Sequence, residues 1–397
     1  MNNLKDKPYF CVLPWMHLHV NTNNVVLPCC FADHNNYNED FPKSDDGNTP
    51  EVLNNQVFKE IRQNMLSDKK IKYCEQCYKL EEYGNHSGRK HSNEKYLTPE
   101  LEESIIAKTK DDGEYDFEVL YFDVRFSNVC NYKCRMCGAN YSTKWYEDID
   151  YHEKGPIVSI SDIRSYCDAN FEYLKNLKYV YFAGGEPLVQ EQHYKFLEWC
   201  IDNQLSPELY YQSNGSLIHY GKWNILELWE KFKKVTYSVS VDCFGEVGEY
   251  IRTGFDTAKV KENLMQVYKY FGSNNEITIN STFMAYNALY ITEMFDEIAN
   301  EPWVQIQNVY PQLLIYPEHL QAKVLPASIK YQAIEKIHTS IWYKKYPEKF
   351  QALLSNLQEE NNEHLWNKFL EYTNDLDIKR NTDVLNILPG LSLNYEK

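Results

Sequence analysis

The segment CNYKCRMC, residues 130–137, places three cysteines in the order C-x3-C-x2-C, with Met136 directly before the last of them. It follows a strand-like apolar run at residues 119–126 and a short polar joint. Three thiolates on one tight loop suit three corners of a [4Fe–4S] cube and leave one iron open to another ligand. Zinc is the alternative metal, but zinc sites usually take paired C-x2-C units and a fourth protein ligand, which this stretch lacks. A loop without metal is the third reading, although free thiols rarely cluster on a polar loop.

The composition narrows the classes of function. The chain has 397 residues, 43% of them hydrophobic and 15% aromatic, so we expect about two to three domains with a large core. A net charge of -16 does not favour direct binding to a DNA or RNA backbone, which needs clustered Lys and Arg. We find no apolar run near the roughly 18 residues of a membrane span, and the polar start at residues 1–9 lacks a signal peptide's apolar segment. Eleven cysteines in such a chain predict metal or redox chemistry in a reducing cytoplasm, without a membrane partner.

Residues 1–95 predict a small N-terminal α+β unit. Two short β-rich runs, at residues 16–20 and 25–28, flank an Asn-rich break and indicate a hairpin. Apolar positions between Val52 and Met65 share one face of a predicted helix. Five cysteines bracket these elements: Cys11, Cys29, Cys30, Cys74 and Cys77. Four thiolates would complete a second cubane cluster, and a structural zinc remains open because C-x2-C with two distant thiolates also suits Zn²⁺.

Two choices within this unit stay open. Cys29 and Cys30 are adjacent, so relaxed geometry does not favour both on the same iron; we favour Cys29 and keep Cys30 as the alternative. We interpret three histidines as hairpin and loop residues and not as ligands: His17, His19 and His34.

From residue 119 onward the pattern alternates strands with helices. We predict strands at 119–126, 178–182, 208–212, 235–242, 277–284 and 304–310, and helices near 163–174, 190–202, 223–232, 257–271 and 291–299. Six β/α repeats indicate a parallel sheet flanked by helices, and the count suits a partial (β/α)6 TIM barrel better than a doubly wound sheet. In such barrels the ligand-binding residues stand at the carboxyl ends of the strands.

Polar motifs fall at those strand ends. The second strand is followed by Gly184-Gly185-Glu186-Pro187, where glycines let the backbone approach a ligand closely. Further candidates follow the third strand or belong to the fourth: Ser213, Asn214, Ser238, Ser240 and Asp242. Arg252 lies further along, and its planar guanidinium suits bidentate capture of a carboxylate. For each of these residues an ordinary strand-end or turn role is the alternative.

The cysteine loop and the GGEP sequence at residues 184–187 together resemble the radical S-adenosylmethionine (SAM) superfamily. The resemblance implies that Cys130, Cys134 and Cys137 hold a catalytic [4Fe–4S] cluster whose open iron binds SAM. It implies that the GGEP motif receives the SAM amino group, that Ser213, Asn214, Ser238, Ser240 and Asp242 hold ribose or carboxylate, and that Arg252 binds the carboxylate. Met136 and the sixth strand, near residues 304–306, would pack against the adenine.

The N-terminal unit resembles a twitch domain, a shortened SPASM domain that holds one auxiliary Fe–S cluster. The shared features are a cysteine before Leu-Pro-Trp at residues 13–15, a cysteine after Val-Leu-Pro at 26–28, a helix, and C-x2-C at 74–77. Such a domain usually follows the radical SAM core, whereas here it precedes it. The chain resembles, over nearly its whole length, the subgroup with an N-terminal twitch domain, which implies an auxiliary [4Fe–4S] cluster.

The remaining stretches complete the expected domain order. We expect a twitch-like domain at 1–95, a linker at 96–118, a radical SAM core at 119–315 and a helical extension at 316–397. Residues 81–118 look like a bridge, and the basic, glycine-containing stretch 84–91 indicates a solvated loop more than an anion-binding one. The helical extension is interpreted as a packing element. Cys167 and Cys200 are expected to be buried, while Cys243 is a secondary candidate for hydrogen-atom donation.

The sequence therefore predicts a radical SAM enzyme. Reductive cleavage of SAM would form a 5′-deoxyadenosyl radical that abstracts hydrogen from a peptide or small-molecule substrate, with the auxiliary cluster assisting. The resemblance also implies an electron donor such as flavodoxin or ferredoxin. A non-catalytic Fe–S or zinc-binding protein with a regulatory or structural role is the alternative. The cysteine loop, the GGEP motif and Arg252 together weigh against it.

Overall fold

The computed structural model describes residues 3–32, 38–45, 48–82, 86–149, 155–272, 276–360 and 363–394. The strands are β1 His17–Val20, β2 Val26–Leu27, β3 Tyr121–Val124, β4 Lys133–Cys134, β5 Tyr179–Phe182, β6 Glu208–Ser213, β7 His219–Tyr220, β8 Trp223–Asn224, β9 Lys234–Ser240, β10 Arg252–Thr253, β11 Glu276–Phe283 and β12 Val309–Leu313. Of the histidines considered at the hairpin, His34 lies outside the described residues.

The helices alternate with the core strands and then continue alone toward the C-terminus. They are α1 Thr49–Leu53, α2 Gln56–Leu66, α3 Glu75–Glu82, α4 Gly88–Tyr96, α5 Pro99–Lys108, α6 Ile163–Ala169, α7 Phe171–Leu174, α8 Glu191–Asp202, α9 Ile225–Trp229, α10 Gly245–Ile251, α11 Thr257–Phe271, α12 Ile291–Ile298, α13 Ala327–Thr339, α14 Ile341–Lys345, α15 Gln351–Gln358, α16 Glu363–Arg380 and α17 Val384–Ile387. Within the described ranges, no helix combines the length and apolarity needed to cross a membrane.

One large sheet forms the centre of the molecule. Its strand order is β12-β11-β9-β6-β5-β3-β1-β2, and neighbouring strands run parallel except for the antiparallel pair β1–β2. The predicted α/β class with a parallel core sheet and a helical C-terminal region is confirmed. The strand order ends at β12 and β2, so the sheet is an open one in its hydrogen bonding.

The two faces of this sheet differ in chemistry because side chains alternate along each strand. On β9, Val235, Tyr237 and Val239 are buried, whereas the intervening residues, among them Ser238 and Ser240, are only half-buried. The parallel register places His19, Asp123 and Tyr181 in one row across β1, β3 and β5. The sheet therefore has an apolar face under the helices and a polar face, on which the candidate site is built.

The N-terminal hairpin is confirmed, and it joins the core sheet. β1 and β2 pair antiparallel across the Asn-rich break, with His19 opposite Leu27. The other edge of β1 pairs in parallel with β3, and His19 lies opposite Asp123 there. The first unit of the chain therefore extends the sheet of the core, a long-range pairing that local sequence patterns do not reveal.

The stretch predicted as a bridge contains helices, so the loop prediction for residues 84–91 was wrong for its described part. Helix α4 begins at Gly88, after Ser87, whose side chain accepts a hydrogen bond from the backbone N–H of Lys90. Helix α5 begins after Thr98, which caps it in the same way. Both caps follow the usual helix N-terminal preference, which the glycine and the charges obscured.

The sixth strand lies further along the chain than predicted. Residues 304–306 are not in a strand; Ile306–Asn308 form a short 3-10 helix, and β12 begins at Val309. Val304 and Ile306 are buried, so their apolar character reflects packing in a connecting segment and not strand pairing. The predicted adenine contact at 304–306 therefore loses its structural basis as a strand position.

Candidate active site and auxiliary cysteine group

The loop with three cysteines follows β3 at its carboxyl end. β4 fixes the loop backbone by pairing antiparallel with β10, so that Cys134 lies opposite Arg252. The backbone N–H of Tyr132 donates to Cys130 Sγ at 3.4 Å, and Arg252 donates to Cys134 Sγ at 3.8 Å. Burial raises the pKa of all three thiols, that of Cys137 to about 12. A bound metal would relieve this penalty, since coordinating thiols are deprotonated outright.

A cavity of about 310 Å³ opens beside this loop. Strands β5, β6 and β9 present their carboxyl ends to it, as expected for ligand sites in barrels of this kind. Its lining contains most of the predicted site residues: Cys130, Cys134, Met136, Cys137, Gly184, Gly185, Glu186, Ser213, Asn214, Ser240 and Arg252. Pro187, Ser238 and Asp242 are not part of that lining in the described chain.

The two glycines after β5 let this turn pass directly against the cysteine loop. Gly184 and Gly185 have φ angles of 76° and 55°, in the left-handed region that favours glycine. A Cβ on Gly185 would lie 2.3 Å from the carbonyl oxygen of Val129. The backbone N–H of Glu186 donates to that same oxygen at 2.8 Å. Only a residue without a side chain therefore fits where the two loops meet.

Glu186 connects two strand ends. Its carboxylate accepts hydrogen bonds from Ser213 Oγ at 2.9 Å, from the backbone N–H of Asn214 at 2.6 Å and from that of Leu188 at 3.1 Å. Burial raises its pKa to about 7, against the lowering effect of these hydrogen bonds. Asn214 in turn donates to Asn131 of the cysteine loop at 2.8 Å. Glu186 and Asn214 thus set the relative positions of three loops around the cavity.

The polar residues of β9 and the segment after it divide between the cavity and the space behind it. Ser240 lines the cavity and accepts a hydrogen bond from Gln212 at 2.6 Å. Asp242 is fully buried and binds Arg252 through both carboxylate oxygens, at 2.8 Å to Nε and 3.1 Å to Nη2. Arg252 is therefore held by Asp242 while it faces the cysteine loop, and Asp242 acts through Arg252.

The C-terminal helix α16 supports the cysteine loop from behind, a role the sequence did not reveal. Arg135, within the loop, is fully buried and donates to Asp377 of α16 at 2.5 Å. Arg380, also of α16, donates to the carbonyl oxygen of Lys133 at 2.8 Å and to Asp148. The helical extension thus does more than fill space, because it fixes the loop backbone on both sides of Cys134. A charged residue between two apparent ligands was the signal available in the sequence.

Four N-terminal cysteines form a second group. Cys11, Cys29, Cys74 and Cys77 line one small pocket at the hairpin and the start of α3. Cys11 and Cys77 are buried, and Cys29 and Cys74 are half-buried. Burial raises the pKa of Cys29 most, followed by the thiol of the adjacent Cys30 and then by those of Cys74, Cys11 and Cys77. Four thiols converging from three separate segments are a donor set that suits a closed cubane cluster or a zinc ion.

Cys30 belongs to different surroundings. It is exposed and is not part of the lining of that pocket in the described residues. The charged groups that act most on its thiol are Asp123 and Arg125 of the core. The geometry therefore separates the two adjacent cysteines, with Cys29 in the thiol group and Cys30 toward the polar face of the sheet.

Arg89 is the charged residue beside the four-cysteine group, and the sequence analysis missed it. It lines the same pocket, forms an ion pair with Glu81, and donates to the carbonyl oxygen of Phe10 at 2.7 Å. Because Phe10 directly precedes Cys11, this contact fixes the backbone at one thiol. The basic stretch was read as solvated, whereas this arginine is buried.

A third polar group lies between the two sites. His17 and His19 are buried in β1, and one donor atom of each lies within 4.8 Å of the others and of an Asp123 carboxylate oxygen. His19 Nδ1 is 2.7 Å from Asp123, and His17 Nδ1 is 3.2 Å from the carbonyl oxygen of Pro28. Although burial alone would raise it, His19 and Arg125 hold the pKa of Asp123 at about 2. Both histidines are hairpin residues, as predicted, but they face a carboxylate of the core.

The remaining cysteines lie away from the cavity lining. Cys167 and Cys200 are fully buried, as expected. Cys243 is also buried and does not belong to the lining among the described residues. Its predicted role as a hydrogen-atom donor stays a secondary prediction.

Two family models match this chain. The model of the radical SAM superfamily matches residues 124–298, and that of the SPASM iron-sulfur cluster-binding domain matches residues 11–78. The first match contains the cysteine loop, the GGEP turn and Arg252, and the second spans all five N-terminal cysteines. No curated protein sequence matches the chain.

Solved structures of three complexes are distantly similar. Native anSMEcpe with bound AdoMet is 18% identical with a TM-score of 0.41, over 57% of this chain and 61% of that one. Streptococcus suis SuiB bound to S-adenosylmethionine is 14% identical with a TM-score of 0.41, over 73% and 64%. SuiB bound to the precursor peptide SuiA is 13% identical with a TM-score of 0.39, over 84% and 68%. This chain thus spans about three fifths of the first two, and we carry over no substrate from them.

The family matches agree with the residues around the cavity and around the N-terminal thiols. The SAM-binding and cluster-binding domains imply S-adenosylmethionine and [4Fe–4S] clusters as cofactors. The chain contains a radical SAM domain at residues 124–298 and, before it, an iron–sulfur cluster-binding domain of the SPASM type at residues 11–78.

Proposed function

We propose that this protein is a radical SAM enzyme whose SAM-binding cluster is held by Cys130, Cys134 and Cys137. The observation that supports this most is that the three thiols and the GGEP turn line one cavity at the carboxyl ends of parallel strands. One electron delivered through the cluster would break the sulfonium C–S bond of SAM, giving methionine and a 5′-deoxyadenosyl radical that takes a hydrogen atom from the substrate. Substrate position and exclusion of side reactions are then the protein's contribution.

The residues around the cavity would divide the work of holding SAM. Gly184 and Gly185 bring backbone close to the ligand, and Met136 offers an apolar surface for the adenine. Ser213, Asn214 and Ser240 offer polar contacts for ribose or carboxylate. Asp242 would orient Arg252, and Ser238 and Pro187 would act through neighbouring residues. The carboxylate role predicted for Arg252 requires its fork to be shared with Asp242, which binds it in the described geometry.

For the N-terminal domain we propose an auxiliary [4Fe–4S] cluster on Cys11, Cys29, Cys74 and Cys77. Four cysteine ligands leave no open iron, so such a cluster can transfer an electron or stabilise the fold but cannot bind SAM. We favour electron transfer, with a flavodoxin or ferredoxin as the external donor. The substrate is a peptide or a small molecule. In this scheme residues 1–95 carry the auxiliary cluster, 119–315 the catalytic core, and 316–397 the support of the cysteine loop.

The decisive experiment measures 5′-deoxyadenosine formed from SAM by anaerobically reconstituted protein with a strong reductant. Wild type should form it, and Cys134→Ala should form at least a hundredfold less, because a cluster that lacks one ligand does not stay bound. Cys167→Ala, at a buried cysteine outside the cavity, is the matched control and should resemble wild type.

Three outcomes contradict parts of the proposal. Equal product from wild type and Cys134→Ala would remove the cysteine loop from the chemistry. A wild-type protein that holds full iron and SAM but forms no 5′-deoxyadenosine would favour the non-catalytic alternative. Zinc without iron at the N-terminal cysteines would remove the electron-transfer role of that domain.

A further inference from the structure

Arg125 contributes to the cavity lining a guanidinium group whose N–H donors are unused. It follows β3 and belongs to the cavity lining. Its one ion pair is long, 3.6 Å from Nε to Asp123 Oδ1, and Nε is buried without a hydrogen-bond partner. An arginine carries five N–H donors in a planar fork. In the part of the chain that the structure describes, none of these donors makes a hydrogen bond.

Two other arginines near the cavity, Arg252 and Arg135, each have one buried nitrogen without a hydrogen-bond partner among the described residues as well, but their other nitrogens donate hydrogen bonds. Arg252 binds both oxygens of Asp242. Arg135 donates to Asp377, to Thr382 and to the carbonyl oxygen of Tyr250. A charged donor without an acceptor is unfavourable where water is excluded. Arg125 makes no side-chain hydrogen bond to the described residues, so its surroundings call most for an additional acceptor.

The fold holds Arg125 in position without using its donors. A Cβ on Gly184 would lie 2.8 Å from Arg125 Cβ and 3.0 Å from Cδ, so the glycine leaves room for the arginine stem. Asp123 is buried on the same strand face and is anchored to His19 of β1 at 2.7 Å. The hairpin thus fixes the carboxylate, and the carboxylate orients the guanidinium.

The two cavity arginines lie on different sides of the cavity. Arg252 contacts Cys134 Sγ and so stands at the cysteine loop. The groups whose charges act most on Arg125 are Asp123, Cys30 and Tyr181, which belong to β3, the hairpin and β5, followed by Tyr141 of the cavity lining. A ligand group on Arg125 therefore lies on the side of the cavity formed by β1, β3 and β5, whereas Arg252 stands at the cysteine loop.

We propose that Arg125 binds a carboxylate or phosphate group of the substrate. A guanidinium fork recognises both groups through paired N–H···O hydrogen bonds. The inference rests on the proposed function and deepens it: the substrate is anionic where it meets the N-terminal side of the cavity. An acidic peptide and a phosphorylated small molecule both satisfy this chemistry.

The test is calorimetric binding to reconstituted, SAM-saturated protein, with inorganic phosphate and acetate as separate probes. Wild type should bind at least one of them, and Arg125→Gln should bind it about ten- to a hundredfold more weakly, the range for charged hydrogen bonds. Arg125→Lys, which keeps the charge and loses the fork, should fall between. Arg164→Gln is the matched control, because Arg164 is a surface arginine paired with Asp202. Equal iron content and circular dichroism establish that the variants are folded.

Three outcomes overturn the inference. In the first, wild type binds neither probe. In the second, Arg125→Gln binds both probes as well as wild type does. In the third, Arg125→Gln loses affinity for SAM itself and not for the probes, which would assign the arginine to the SAM carboxylate. All readouts are equilibrium binding, so absence of 5′-deoxyadenosine from wild type would contradict the proposed function without affecting this result.

Discussion

The two cysteine groups of this molecule are built in opposite ways. The loop at 130–137 carries its three thiols within eight residues and turns them toward a cavity. The N-terminal group brings four thiols together in a small pocket. They come from the chain just before the short 3-10 helix Leu13–Trp15, from the end of the hairpin, and from the start of α3. An open three-thiol site suits a cluster that must meet a ligand, and a closed four-thiol site suits one that must not. The comparison shows how one chain can combine a site that exposes a cluster to a ligand with a second site that encloses one.

Both groups depend on a buried arginine that carboxylates hold in place. Arg135 at the loop binds Asp377 of α16, whereas Arg89 at the N-terminal group binds Glu81 of α3. The first support comes from the far end of the chain and the second from a nearby helix. The ion pair at the loop therefore spans 242 positions of the chain, whereas the one at the N-terminal group spans 8.

The sharpest test of the comparison separates the adjacent cysteines, because only Cys29 lines the thiol pocket. We expect Cys29→Ala to lose the auxiliary cluster, about half of the roughly eight irons that two cubanes hold. Cys30→Ala should retain all of them. Iron content and the electron paramagnetic resonance signal after reconstitution measure this. Loss of iron from Cys30→Ala alone would reverse the assignment.

The next test breaks the support of the cysteine loop. Arg135→Met leaves Asp377 buried without its partner, which should lower the free energy of unfolding by about 3–5 kcal/mol. The loop should also lose its iron while the N-terminal group keeps its own. Lys379→Met is the control on the same helix, since its exposed pair with Asp375 contributes about 0.5 kcal/mol or less. Equal denaturation midpoints for the two variants would contradict the role given to α16.

A smaller effect tests the contact between the GGEP turn and the cysteine loop. Gly185→Ala should lower the free energy of unfolding by about 3 kcal/mol, because it adds a backbone clash at 2.3 Å to a strained φ of 55°. Gly245 has a similar φ of 60° and open space around it, so Gly245→Ala should lose only about 1 kcal/mol. SAM affinity should fall in the first variant and not in the second. Equal losses in the two variants would mean that the strain of a positive φ, and not the backbone clash, causes the effect.

The smallest expected effect is a loss of stability in mild acid, and it comes from a buried histidine of the core and not from the cysteine groups. His193 is buried in α8 against Tyr211, and burial lowers its pKa from 6.5 to about 3. The unfolded chain takes up a proton below pH 6.5 and the folded chain does not, so stability falls as the pH drops. The difference in free energy of unfolding between wild type and His193→Gln should change by about 1 kcal/mol between pH 6.5 and 5.5, since the unfolded imidazole is only half protonated at pH 6.5. Urea unfolding of both proteins at both pH values measures this change. A difference in free energy of unfolding that is the same at the two pH values would contradict the prediction.

Local patterns were reliable where the chemistry is local. The C-x3-C-x2-C loop, the GGEP turn and five of the six predicted core strands follow from residues close in sequence. Failures occurred where tertiary packing outweighed the pattern. Buried Val304 and Ile306 resembled a strand but pack in a connecting segment, and α4 was hidden because its polar, charged residues conceal a helix that is held partly by Arg89.

The sequence by itself determined the two cysteine motifs, the parallel α/β core and the resemblance to the two matching families, because spacing along a loop and alternation along a strand are encoded by neighbouring residues. Only the tertiary structure distinguished Cys29 from Cys30, brought β1 beside β3, and set Arg135 against Asp377 across 242 positions. It also revealed that Arg252 donates hydrogen bonds to Asp242 and Cys134, whereas Arg125 makes only a long ion pair with Asp123 among the described residues. These features depend on which residues contact each other in the folded chain. Burial and charge pairing depend on contacts between distant segments, and no local pattern specifies those contacts.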